Sequence, residues 1–465
     1  MDYDILILGG GVIGCAAAYE LSKYNLNIAL IERDYDIADD LSSVHTAIVY
    51  DGSEASNNLM SSLEYMGNEL IEEIALKFNV PFKRIGSMRI AQTDKSVEKL
   101  NKIYDRAKKR GIKDIHLIEE EHAKELNGNL KVPIKKALYS QNTAIISPYD
   151  LALAYAEVAA DNGVFFRLEE TVLNIQKAAK GFRVTTNKNK FNCRVVINTI
   201  PSEQYDLNYN TNAEEKRKDK KLYYLLLDHD FKDTVNSLVI NELDTNGFIF
   251  QTPTFSSGTL IAVKSDVTLN LDEIIKTSNT ILPNLSKKDV NHMFSDEFNV
   301  DSMLIDESEI SKGYISVTGN HYGEVTIAPA LSQMLCETIV NNLKCSLKKN
   351  FVDKRRDYYR FKDLSNKERN EIIKLEPRYG KIICLCNMIS EGEIVDSIRR
   401  PLGARTVEGV KRRTGATFGN CHGSYCINKV IDILSKELNK KSTDIVKDSK
   451  GSRVLAARIK EFDGV

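Results

Sequence analysis

The sequence predicts an α/β chain that opens in a Rossmann-like dinucleotide-binding unit and closes in a small, helical, cysteine-bearing module. Three observations predict it. A strand-like run, Asp4-Ile5-Leu6-Ile7-Leu8, passes straight into Gly9-Gly10-Gly11-Val12-Ile13-Gly14 and an alanine-rich helix. A second strand, over 27–31, ends in Glu32, 18 residues past the last glycine. Far downstream, four of the eight cysteines cluster as Cys384-x-Cys386 and Cys421-x4-Cys426.

Each part of the first signal has a physical job. Gly9 permits a tight turn, Gly11 lets the backbone approach a pyrophosphate, and Gly14 lets the helix pack close to the strand. The helix N-terminus offers N–H groups and a positive dipole end to phosphates. Glu32 can accept hydrogen bonds from ribose hydroxyls. A lone glycine motif is weak, but here it stands in full strand–helix–strand–acid order. Its place at the start of the chain favours FAD over NAD.

Bulk properties narrow the class. The 465 residues suffice for two or three domains, and 42% hydrophobic with 28% charged content is ordinary for a soluble protein. A formal charge of −1 gives no global field toward nucleic acid or an anionic membrane. There is no basic leader and no apolar run of about 18–20 residues, so a cytoplasmic location is expected, peripheral to a membrane at most. In a reducing compartment clustered cysteines read as metal ligands. Cys15, Cys193, Cys336 and Cys345 read as buried apolar residues.

Along the chain, helices are expected over 56–78 and 95–110, with an alternating strand from Phe82 to Ala91 between them. Residues 137–147 read as a loop before a helix with Ser147 as N-cap and Pro148 at its first position. Strands follow over 164–168, 170–176, 181–186 and 190–198, then several more over 221–265. A helix over 272–282, a strand over 314–317 and a helix over 328–342 complete this part, and 346–378 reads as a charged linker.

Four stretches carry a family resemblance: the glycine motif with Glu32; Leu41-Ser42-Ser43; Ala144-Ile145-Ile146-Ser147-Pro148-Tyr149; and 319 through Ala328-Pro329-Ala330. Together they resemble the D-amino-acid-oxidase-like flavoproteins, in the branch of FAD-dependent glycerol-3-phosphate dehydrogenases and L-2-hydroxyglutarate oxidases. The resemblance implies a Rossmann-like FAD-binding domain (about 1–80, 145–215 and 310–345) with an inserted α+β substrate domain (about 80–145 and 215–310). It implies that Ser42 and Ser43 approach the pyrophosphate and that Val172 meets the adenine through its backbone. The loop from Gly319 to Thr326 should lie near the flavin ring; Val12, Ile13 and Arg33 complete the expected FAD set. His321, Tyr50 and His45 border the same place, and His321 is the candidate base or substrate donor.

The chain departs from the family pattern around the flavin. It reads His45-Thr46-Ala47 and Tyr50-Asp51-Gly52 where relatives carry Asn-Ser-Gly and His-Ala-Gly, and Asn198-Thr199-Ile200-Pro201 where a glycine ends the strand. Val263-Lys264 replaces Gly-Pro, and Gly323-Glu324 replaces Pro-Gly. Asp296-Glu297-Phe298 stands where an arginine clamps an anionic substrate, so glycerol 3-phosphate should be a poor substrate. Arg84 and Arg89 could substitute, although arginines on such strands are more often solvated.

Residues 379–440 read as a metal module, followed by a tail over 441–465. Ser390 and Glu393 form a capping box, Thr406 caps a second helix that ends near Gly415, and a third runs over 427–438. Zinc is the alternative occupant, but C-x-C is unusual for zinc knuckles. The run Ser390-Glu391-Gly392-Glu393, Arg399-Arg400-Pro401-Leu402-Gly403 and Lys411-Arg412-Arg413-Thr414 resembles the bacterioferritin-associated-ferredoxin-like [2Fe–2S] domain. That resemblance implies one [2Fe–2S] cluster on Cys384, Cys386, Cys421 and Cys426. On its charged linker the module should fold semi-independently, so that losing a cysteine leaves FAD in place.

The expected function is an FAD-dependent dehydrogenase of a small hydroxy acid, glycerol 3-phosphate or an amino acid. Its electrons would pass through the cluster to a redox partner protein, an NAD- or flavin-dependent subunit, with no role for nucleic acid. The alternative is a weakly catalytic or non-catalytic electron-transfer or assembly subunit that retains both cofactors.

Overall fold

The structure is a computed structural model. It describes residues 1–39, 47–201, 220–227, 235–243, 247–255, 258–265, 267–298, 303–306, 313–319, 321–419 and 421–456. Ser42, Ser43 and His45 lie outside the described residues, as do the side chains of 296–298.

In chain order the elements begin β1 (Tyr3–Leu8), α1 (Val12–Ser22), β2 (Ile28–Ile31), β3 (Ala47–Val49), α2 (Asn58–Lys77), β4 (Phe82–Arg84), β5 (Ser87–Ala91) and α3 (Asp94–Lys109). Next come β6 (Ile115–Ile118), α4 (Glu120–Leu126), β7 (Lys136–Ser140), β8 (Ala144–Ile146), α5 (Pro148–Asp161), β9 (Phe165–Arg167), β10 (Val172–Ala178), β11 (Gly181–Thr186) and β12 (Lys190–Asn198). Then follow β13 (Lys220–Leu227), β14 (Leu238–Glu242), β15 (Phe248–Pro253), β16 (Thr259–Ser265), α6 (Leu271–Ser278), β17 (Val290–Phe298), β18 (Leu304–Asp306), β19 (Tyr314–Thr318) and α7 (Glu324–Leu343). The chain closes with α8 (Asn366–Leu375), β20 (Ile382–Cys384), β21 (Ile389–Ser390), α9 (Glu391–Arg399), α10 (Val407–Thr414) and α11 (Ile427–Leu438).

These form two compact units. The first comprises Met1–Asp40, Ala152–Val196 and Cys345–Val465. Its strands run in the order β10-β11-β12-β1-β2-β9. β1 is parallel to β2, and β2 to β9, as strand–helix–strand crossovers require. β1 and β2 are wholly apolar from Ile5 and from Ile28, as strands buried on both faces must be. The second unit, Leu41–Leu151 and Ile197–Lys344, is built on an eight-stranded sheet, β17-β13-β16-β15-β14-β5-β7-β6, and a three-stranded one, β3-β8-β4.

Several expectations change. The alternating run 82–91 is two strands in two different sheets, because Gly86 takes φ +66° and breaks it. Residues 137–147 are β7 and β8 rather than a loop: apolar Ala137, Leu138 and Ala144 to Ile146 are buried in pairing. α7 starts four residues earlier than expected, at Glu324. Pro329 lies inside it, where its missing N–H costs one bond in a helix that is otherwise well packed. Cys15, Cys193 and Cys336 are buried as expected, but Cys345 is only half-buried.

The charged stretch after 345 also differs from a solvated linker. Leu347 bridges to Tyr24, and Lys348 Nζ donates to the Asn162 carbonyl at 2.6 Å. Tyr19 donates its hydroxyl to Asp353 at 2.7 Å. Arg355 and Arg400 converge on Glu157 of α5, at 2.7 and 3.0 Å, with the Glu157 side chain 2% exposed. Burial alone would raise the Glu157 carboxyl, but the two guanidiniums outweigh it and hold it below the ordinary carboxylate range. The cysteine module is therefore packed on the nucleotide-binding sheet's unit, not tethered beside it. The charges that looked solvated in one dimension find buried partners in three.

Candidate active site and metal centre

The glycine turn has the shape the motif requires. Gly9 takes φ +99°, open only to glycine without strain. Gly11 is the N-cap of α1, no side chain caps that end, and a Cβ built on Gly11 would meet nothing within 4 Å. The open space and free N–H ends are what a pyrophosphate needs. Val12 and Ile13 form the buried first turn with Gly14. Glu32 accepts from the Gly10 N–H at 2.6 Å and the Asp34 N–H at 3.0 Å. Burial raises its carboxyl from the ordinary value, partly offset by those N–H groups. Arg33 points outward, its guanidinium 3.3 Å from Asp34. Val172 opens β10 beside a β-bulge and is buried.

The second unit gathers a separate cluster. Thr326 is fully buried in the first turn of α7. Its hydroxyl accepts from the Tyr50 N–H at 3.1 Å and donates to the Ile48 carbonyl at 3.3 Å, so it ties this end of α7 to β3. Gly319 takes φ +93° and donates to the Pro201 carbonyl at 2.9 Å. Tyr50 stacks edge-on to Tyr322 at 5.0 Å, and Tyr322 lies along His321 at 4.4 Å. His321 is 2% exposed, and its Nδ1 accepts from the Gly323 N–H at 3.0 Å. A neutral imidazole held that way carries its proton on Nε2 and acts as a donor there. Burial pushes the Tyr50 and Tyr322 phenols up, so both stay protonated.

The sequence reading missed Glu64. It is fully buried on α2, and among the described residues neither carboxyl oxygen has a hydrogen-bond partner. A Cβ on Gly323 would lie 2.6 Å from Glu64 Oε1 and 3.1 Å from His321 Nδ1, so both groups flank one point above Gly323. Burial, then Glu54 and Asp51, push its carboxyl well above the ordinary range. The signal was present: Glu64 shares the buried face of α2 with Met60, Leu63, Gly67, Asn68 and Ile71. Such an acid erodes stability as pH climbs. The unfolded carboxyl ionises near 4.5 while the folded one stays protonated, so stability is full below 4.5 and is lost up to the folded value. Glu64→Gln should therefore raise the melting temperature by on the order of a few °C near pH 8 and change little near pH 4.5. Thermal denaturation across that range checks it; equal pH profiles for both proteins would disprove it.

Arg89 is neither solvated nor open to an anion, while Arg84 is half-buried with its guanidinium already engaged. Arg89 is buried between Glu54 and Glu242. Arg84 binds Glu72 at 2.9 Å and Asn68 Oδ1 at 2.6 Å. Lys264 lies over the Phe248 ring, 5.1 Å from its centroid.

In the C-terminal module the expected caps form. Ser390 and Glu393 make a reciprocal box, Thr406 caps α10, and Gly415 ends it at φ +81°. The apolar faces of α9, α10 and α11 bury Ile394, Val407, Val410, Val430 and Leu434 in one small core. Two cysteines, Cys384 and Cys426, belong to that core, each 1% exposed. Cys386 is exposed, with its Sγ 3.4 Å from that of Cys421. Cys426 is pushed up to about 11, first by burial and then by nearby Cys384. Cys421 is lowered, mainly by the Cys386 thiol and then, against some desolvation, by the N–H groups of Gly423, Tyr425 and Ser424. Among the described residues, no three metal-binding side chains close on a single ion. The sulfurs fall instead into an outer and an inner pair. Soft thiolates with backbone N–H groups aimed at them suit an iron–sulfur cluster.

A pyrophosphate turn joined in one chain to paired thiols defines a redox flavoprotein with an iron–sulfur module. The comparisons agree. Residues 4–338 match the family described as "FAD dependent oxidoreductase", and the chain belongs to that family. Residues 382–436 match the "BFD-like [2Fe-2S] binding domain". The protein is thus an FAD-dependent oxidoreductase with FAD and a [2Fe–2S] cluster as its cofactors. It is 34% identical over 476 aligned residues to a glycerol 3-phosphate dehydrogenase of Caloramator mitchellensis, covering 98% of this chain and 99% of that one. It is 29% identical to a mitochondrial L-2-hydroxyglutarate dehydrogenase of Nematostella vectensis, over 33% of this chain and 34% of that one. Its fold matches the FAD-bound L-alpha-glycerophosphate oxidase of Mycoplasma pneumoniae with a TM-score of 0.65 at 20% identity, over 77% and 99% of the two chains. Among the described residues, no helix is long and apolar enough to cross a membrane.

Proposed function

We propose that the protein is a dehydrogenase of a small hydroxyl- or amine-bearing substrate, whose electrons leave through the cluster to a protein acceptor. The observation that carries this reading is the rim of the thiol site. Cys386 is exposed, and Leu385, Met388 and Tyr425 around it are 71%, 42% and 76% exposed. Exposed apolar side chains around a redox centre suit a transient protein partner better than water. Cys384, Cys386, Cys421 and Cys426 would hold the cluster. Gly9, Gly11, Val12, Ile13, Gly14, Glu32, Arg33 and Val172 would hold the dinucleotide part of FAD.

When bound, FAD supplies hydride acceptance and the cluster one-electron transfer. His321 would donate from Nε2 to the substrate oxygen or nitrogen, with Tyr50 fixing the ring stack beside it. Burial of Tyr50 and Glu64, with Tyr322 partly buried beside them, limits water at that face. The whole-chain relative supports a glycerol 3-phosphate-like substrate class. The engagement of Arg84 and Arg89 by carboxylates weighs against tight binding of a dianion.

An anaerobic panel tests it: glycerol 3-phosphate, L-2-hydroxyglutarate and amino acids, read by flavin bleaching and by EPR of the cluster. At least one should bleach the flavin and then reduce the cluster. Glycerol 3-phosphate should do so at least about tenfold less efficiently than the preferred substrate. Bleaching without cluster reduction, or rapid reoxidation by oxygen alone, would overturn the electron route.

A further inference from the structure

The loop after β2 joins two regions of the first unit. On one side it holds the glycine turn: the Ala38 N–H donates to the Gly10 carbonyl at 2.8 Å, and the Gly10 N–H donates to Glu32 at 2.6 Å. On the other side it is gripped by α10 of the iron–sulfur module. Arg413 and Asp36 form a bidentate pair, one arm at 2.8 Å, with both side chains 3% exposed. Asp36 also accepts from the Ile37 N–H at 2.9 Å, and Arg413 donates to the carbonyls of Gly409 and Leu402 at 3.0 and 2.6 Å. The fit is close, since a Cβ on Gly409 would stand 3.1 Å from Asp36 Oδ2. Beside it, Arg412 pairs with the Asp39 carboxylate and donates to its carbonyl.

A continuous chain of bonds thus runs from α10 through Asp36 and Ala38 to the turn where a pyrophosphate would lie. The same loop also buries Ile37, and its Asp34 carbonyl accepts from the Glu169 N–H at 2.9 Å. Ala38 itself sits at φ +54°, a conformation that non-glycine residues adopt only when neighbours hold them. We infer that Arg413 and Arg412 are positioning residues of the FAD site, so that FAD binding and docking of the cluster-loaded module are energetically coupled. The inference rests on the glycine turn binding FAD, and extends it: the module is part of the flavin site as well as its electron outlet. Coupling of this kind is reciprocal. Loss of the module's docking weakens FAD, and loss of FAD loosens the module. A chain lacking its electron outlet would then also tend to lack the flavin that would feed it.

The test is the FAD dissociation constant of full-length apoprotein, by flavin fluorescence, with iron and acid-labile sulfide measured on the same samples. Arg413→Ala should bind FAD about 10- to 100-fold more weakly while keeping near-normal iron. Arg413→Lys should recover only part, because a lysine cannot make the paired contact. Arg413→Ala combined with Asp36→Ala should be clearly non-additive. Unchanged FAD affinity in a folded, cluster-bearing Arg413→Ala protein would overturn the coupling. If that variant does not fold, Arg412→Ala replaces it, with a smaller loss expected. The wild type supplies an independent reading: saturating FAD should slow iron loss to a chelator several-fold, and equal rates with and without FAD would overturn the proposal. Wild-type protein that binds no FAD at all would instead refute the assignment of the glycine turn.

Discussion

Cys384→Ser and Cys426→Ser should each reduce bound iron and acid-labile sulfide to below about a tenth of the wild-type content. Both thiols are 1% exposed and sit in the same small core as Ile383, Ile389, Ile394 and Val430. A serine there offers a hard, protonated oxygen in place of a soft thiolate, and no water can reach in to complete the iron's coordination. Cys386→Ser should be milder, because Cys386 is exposed and its neighbour Cys421 keeps its N–H surroundings. Iron and sulfide analysis after anaerobic purification, with EPR after dithionite, gives the answer. Near-stoichiometric zinc without sulfide in the wild type would show a structural zinc site instead. The buried variants should also retain FAD less firmly, unlike a module swinging on a free linker.

Gly11→Ala should abolish flavin retention and yet leave the fold of the apoprotein intact. The added methyl meets no protein atom within 4 Å, so nothing in the chain resists it. What it fills is the approach to the N-terminus of α1, where the backbone must come close to a pyrophosphate. An alanine at an N-cap costs on the order of 1 kcal/mol relative to glycine, a small fraction of what holds a chain of this size together. The expected loss of FAD affinity is on the order of 100-fold or more, with an apoprotein melting temperature within about 2 °C of the parent. Normal flavin content would mean that the cofactor is held elsewhere. Gly14→Val is a less clean probe, because Gly14 is buried inside α1 and a larger side chain there disturbs packing as well.

The sequence by itself determined whatever depends on local order. The β1–glycine–α1–β2–Glu32 unit is continuous in the chain, so its periodicity and glycine positions are legible directly. The module's capping box at Ser390, the Thr406 cap and the Gly415 stop are contacts over three or four residues, and each forms as its residue types require. The four clustered cysteines were equally visible, though not that Cys386 would lie beside Cys421 and Cys384 beside Cys426.

Only the tertiary structure decided the role of the charges. Arg89 is a short step from the sheet surface in sequence terms, but Glu54 and Glu242, 35 and 153 residues away, close on it and remove it as an anion site. Glu64 reads as one more acid in a helix, and only packing under the 321–323 loop makes it a neutral, buried one. Arg413 and Asp36 stand 377 residues apart, and no periodicity connects them. Gly86 and the apolar 137–146 run divided into separate strands because sheet partners were available on both sides. Hydrophobic pattern and capping act within a few residues. The pairing of buried charge is set by which distant segments meet, because a desolvated ion must find its counterion wherever the fold places one.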